Sequence, residues 1–95
     1  MLITLNTENV AEVATIAVHA MDNARRNGAN REQAIVVALS QKLCVNNLLK
    51  GTEVARIQEV SRIIVERVDA ARRNCQNREK AAEQPLLGEF GLLVA

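Results

Sequence analysis

Apolar side chains recur every three or four residues along most of this chain, the spacing that lines one face of an α-helix. Val10, Val13, Ala17, Met21 and Ala24 form a first stripe, widened by Ala14, Ile16, Val18 and Ala20. Glu8, Glu12, Thr15, His19 and Asn23 lie opposite, which predicts a helix over 8–26. Asn6 and Thr7 offer N-cap oxygens to it, and residues 1–6 read as a short extended arm. Asn27-Gly28-Ala29-Asn30 predicts a stop: Gly28 suits a left-handed helix end, and Asn30 caps a second helix, with Gln33 at capping-box spacing. That second helix, over 31–50, is apolar nearly all round. Ala34, Val37, Ala38, Val45, Leu48 and Leu49 line one face, and Ile35, Val36, Leu39 and Leu43 the other. A helix apolar on both faces is expected to be buried on both. The face carrying Ile35, Val36, Leu39 and Leu43 is therefore expected to pack against a second copy of the chain. Gly51 is expected to end this helix and Thr52 to cap a third over 53–74, with Ile57, Val60, Ile64, Val68 and Ala71 as its stripe.

The third helix repeats the first. Residues 10–34 reappear forty-seven positions later as residues 57–81, with about half the aligned positions identical. The densest match pairs Ala24-Arg25-Arg26-Asn27 with Ala71-Arg72-Arg73-Asn74, then Asn30-Arg31-Glu32 with Asn77-Arg78-Glu79. Repetition this close implies tandem helical hairpins. Pro85 is expected to break the second copy early, leaving a stub over 78–84 and an apolar tail over 85–95. The tail should dock on its own dimer, pair with the N-terminal arm, or meet another protein through Phe90, Leu92 and Leu93. The expected fold is a single all-α domain, a small bundle of two duplicated hairpins (7–50 and a truncated 52–84), completed by homodimerisation.

Composition sharpens this picture. The chain has 95 residues, 48% of them hydrophobic, with one Phe and no Tyr or Trp. Its core must be made of Val, Ile, Leu and Ala, and a monomer of this length is expected to be only marginally stable. Net charge is +1, without the global basic excess of non-specific nucleic-acid binders. No apolar run approaches the length of a membrane span, and the N-terminus lacks the features of a secretory signal, so the cytoplasm is the expected location.

Candidate chemistry is sparse. His19 is the only histidine, on the polar side of the first helix. Ser40 and Ser61 have no nucleophile-elbow context, and no glycine-rich phosphate loop is present. Cys44 and Cys75 lack metal-site spacing, so Cys44 reads as a buried thiol and Cys75 as a turn residue. No catalytic residue, metal or cofactor is expected. The best lead is arginine. Arg25, Arg26 and Arg31 surround the first turn, and Arg72, Arg73 and Arg78 the second. Guanidinium forks bind phosphate or carboxylate, although cations also stabilise helix C-termini, and Asp22, Glu32, Asp69 and Glu79 stand near enough to neutralise them. Ala24 and Gly28 echo a helix-turn-helix turn, but Asn23 and Asn27 fall where that motif needs apolar residues. The ending Leu92-Leu93-Val94-Ala95 resembles the small apolar C-termini read by bacterial energy-dependent proteases. Together these features suggest a non-enzymatic protein-interaction module acting as a homodimer. A DNA-binding regulator that clamps phosphates with its arginine turns is the alternative.

Overall fold

The computed structural model describes residue 5, residues 8–43 and residues 51–91. They form four helices and no strand: α1 (Val10–Arg26), α2 (Arg31–Leu43), α3 (Gly51–Arg73) and α4 (Arg78–Phe90). The arrangement is a compact helical bundle. α1 packs on α2 and α4, α3 packs on the same two helices, and α1 and α3 touch only lightly across the bundle.

α1 begins at Val10, slightly later than its apolar pattern suggested, because Glu8 and Asn9 form a turn instead. Its buried face is Val10, Val13, Ala14, Ala17, Val18, Met21 and Ala24, as the stripe predicted. The helix closes in a Schellman turn. The Gly28 N–H donates to the Arg25 carbonyl, the Ala29 N–H donates to the Ala24 carbonyl at 2.8 Å, and Gly28 sits at φ 67°. The Asn30 side chain then accepts from the Gln33 N–H at 2.9 Å and starts α2.

The second half follows the same plan at the forty-seven-residue offset. Cys75 takes the place of Gly28 at φ 56°, and its N–H donates to the Arg72 carbonyl. The Gln76 N–H donates to the Ala71 carbonyl at 2.7 Å, and Asn77 caps α4 by accepting from the Lys80 N–H at 2.9 Å. The buried residues of α3 (Ile57, Val60, Ser61, Ile64, Val68 and Ala71) fall at the offsets of their α1 counterparts.

Three expectations need correction. Gly51 and Thr52 do not separate two helices, since both lie in the first turn of α3, and Gly51 is not left-handed. Pro85 does not end α4, which runs on to Phe90. An interior proline removes one hydrogen bond and crowds the preceding turn at a cost of about 3 kcal/mol. Burial of Leu86 and Phe90 beyond it, at roughly 1.5–3 kcal/mol each, offsets that cost. The second hairpin is therefore not a stub, because its described helix is as long as that of the first.

The third correction concerns α2. Ile35, Val36, Leu39 and Leu43 are buried inside the single chain, and all belong to its hydrophobic core. The face expected to need a second copy is covered by the chain itself. The opposite face turns outward, with Ala34 and Ala38 half-buried and Val37 48% exposed. Val45, Leu48 and Leu49 lie outside the described residues, as do Asn6, Thr7 and Cys44.

One of the fates expected for the tail is seen. The Leu5 N–H donates to the Phe90 carbonyl at 2.9 Å, and Leu5 forms a parallel bridge with Gly91. Leu5 and Phe90 are both buried in the core. Leu92 and Leu93 lie outside the described residues.

Candidate functional site: the arginine-lined end

α1 and α3 end, and α2 and α4 begin, at the same end of the bundle. Two ion pairs tie the hairpins together there. The Arg31 Nη1 donates to Asp69 Oδ1 at 2.8 Å, linking α2 to α3. The Arg78 Nη1 donates to Asp22 Oδ1 at 3.1 Å and to Oδ2 at 3.4 Å, linking α4 to α1. The two links are the same pair of positions, read once in each direction across the forty-seven-residue offset.

These links explain an awkward placement. Arg31 and Arg78 are the first residues of their helices, where the macrodipole disfavours a cation. A carboxylate from the opposite hairpin compensates each one. Arg31 and Arg78 thus link the two hairpins, and Asp22 and Asp69 are the residues that reasoning along the chain undervalued. The clue was present, since both the aspartates and the arginines are identical between the repeats.

The other four arginines are less committed. Arg25 reaches Asp69 only at 3.6 Å, behind Arg31. Arg26 donates to the neutral Asn23 Oδ1 at 3.0 Å. Among the described residues, no ion pair engages Arg72 or Arg73, both of which are exposed. A cleft of about 340 Å³ opens between the turns, lined by Asp22, Arg25, Arg26, Arg72 and Arg78.

The remaining candidates fare differently. His19 is exposed on the polar side of α1. Ser61 is buried, and its hydroxyl donates to the Ile57 carbonyl at 2.7 Å, which satisfies it within its own helix. Cys75 is an exposed free thiol in the second turn. Among the described residues, no group of three His, Cys, Asp or Glu side chains could hold a metal ion. No described helix is long and apolar enough to cross a membrane. A smaller groove of about 280 Å³ between α3 and α4 is edged by Ile63, Pro85 and Gly88. Its Glu59 is already engaged by Arg62, which lowers the Glu59 pKa through their hydrogen bond and charge attraction.

Comparison with protein-family models, curated proteins and solved structures finds no match to this chain.

Proposed function

We propose that the protein is a non-enzymatic interaction module, built by tandem duplication of one helical hairpin, whose working surface is the arginine-lined end. The supporting observation is charge convergence. Six arginines from two turns gather at one end against four carboxylates, Asp22, Glu32, Asp69 and Glu79, and the two aspartates are already taken by Arg31 and Arg78. The partner this favours is a protein segment rich in negative charge. Duplication is supported by the shared turn geometry, the equivalent caps and the reciprocal ion pairs at one offset.

Homodimerisation is not required for burial. Only Val37 is a large exposed hydrophobic among the described residues, and single exposed apolar side chains are ordinary. A dimer would use the outward face of Ala34, Val37 and Ala38.

The DNA-binding alternative keeps the same arginines and changes the partner. A net charge of +1 argues against it, as does the outward face of α2, which offers few groups able to read base edges. Fluorescence anisotropy with a labelled glutamate-rich peptide and a labelled DNA duplex separates the two readings. Peptide binding lost in a double Arg25→Glu, Arg72→Glu variant supports the interaction module. Duplex binding that falls steeply with added salt supports the DNA reading instead. Binding of neither probe sinks both.

A further inference from the structure

We infer that the cleft between the two turns is a binding site for a phosphoryl-type oxyanion, a step that rests on reading this end as the working surface. Charge balance carries the argument. Four guanidinium groups line the cleft and only one carboxylate, Asp22, faces them. Both oxygens of that carboxylate already accept from Arg78. Arg26 leans on a neutral amide, Arg25 is the outer partner of an aspartate held more closely by Arg31, and Arg72 has no ion pair among the described residues. The cleft therefore carries a surplus of positive charge with unspent donors.

The helix dipoles do not supply the missing anion. The negative ends of α1 and α3 and the positive ends of α2 and α4 meet here and oppose one another, so side-chain charge sets the local potential. Coulomb attraction grows with ligand charge, which favours a phosphate dianion over a single carboxylate. Geometry points the same way. Arg25 and Arg72 occupy equivalent places on α1 and α3 and both line the cleft, so guanidinium groups reach it from both helices. The Arg31–Asp69 and Arg78–Asp22 links tie each hairpin to the other beside the cleft.

The test is calorimetric titration of the full chain at low ionic strength with inorganic phosphate, pyrophosphate, a phosphoserine peptide and its unphosphorylated twin. Arg72→Gln and Arg25→Gln are compared with Arg62→Gln, which lies outside the cleft, and circular dichroism checks that each variant is folded. Saturable binding of a phosphate-bearing probe is expected, weakened roughly tenfold or more by Arg72→Gln and unchanged by Arg62→Gln. Binding of the free anions alone assigns a small-molecule source, and binding of the phosphopeptide assigns a modified partner. The inference is overturned if no phosphate probe saturates, or if Arg62→Gln weakens binding as much as Arg72→Gln. If the glutamate-rich peptide binds while every phosphate probe fails, the interaction module stands and the oxyanion site falls. If phosphate binds and that peptide does not, the site stands without an acidic protein partner.

Discussion

Replacing Leu86 with alanine tests whether the residues beyond Pro85 belong to the fold. Leu86 is fully buried in the core, one position after the proline, and is the counterpart of Leu39 in α2. Truncating a buried leucine to alanine removes its transfer energy and leaves a cavity, at a cost of about 2–5 kcal/mol. A domain of this length has a total stability of roughly 5–14 kcal/mol, so the loss is a large share of the whole. With a urea dependence near 1–2 kcal/mol per molar, the midpoint should fall by roughly 1–5 M. The chain has no Trp or Tyr, so the transition must be followed by far-ultraviolet circular dichroism. Leu39→Ala should cost a similar amount, because both leucines fill equivalent sites on opposite hairpins. A Leu86→Ala loss below about 0.5 kcal/mol, the size of an ordinary surface change, would show that α4 does not anchor the core beyond Pro85.

Three further outcomes are expected. Cys75 holds a left-handed backbone at φ 56° that glycine adopts without strain, so Cys75→Gly should stabilise the protein by about 1 kcal/mol and raise Tm by several degrees. An unchanged or lower Tm counts against strain at that turn. A double-mutant cycle on Asp22 and Arg78 should give a coupling of about 0.5–1 kcal/mol, discounted because both side chains are about a third exposed. Coupling indistinguishable from zero, by the same denaturation assay, would show that the pair does not help to hold the hairpins together. The Glu59 carboxyl, held below the ordinary carboxylate range by Arg62, stabilises the fold at neutral pH, and that small contribution disappears as pH falls through its lowered pKa. Titration by nuclear magnetic resonance should show the lowered value, and Arg62→Ala should return it to the usual range.

Much of the architecture is legible in the residue pattern. The stripe of α1, the stop at Gly28, the Asn30 cap and the recurrence of all three in the second half appear where spacing and turn chemistry put them. Two elements depart from the pattern for identifiable reasons. Proline rules count the lost hydrogen bond and the crowding, which are local, whereas Leu86 and Phe90 act through burial against distant helices. α2 is apolar on both sides, so periodicity cannot choose its inner face. The repeat contains the answer. Ile35, Leu39 and Leu43 are matched in α4 by Ala82, Leu86 and Phe90, all buried, whereas Val37 is matched by the polar Gln84. The arginine-lined end is legible as two clusters but not as one site. Nothing along the chain places Arg78 beside Asp22, and only the packing of α4 on α1 brings them together.

The bond between Leu5 and Phe90 ties the segment ahead of α1 to the end of α4. Each hairpin leans on the other, α1 against α4 and α2 against α3, so neither half comes first in any spatial sense. A chain that carried α3 and α4 ahead of α1 and α2 would keep every described helix beside the same neighbours. The packing of the described helices therefore does not dictate which half comes first along the chain.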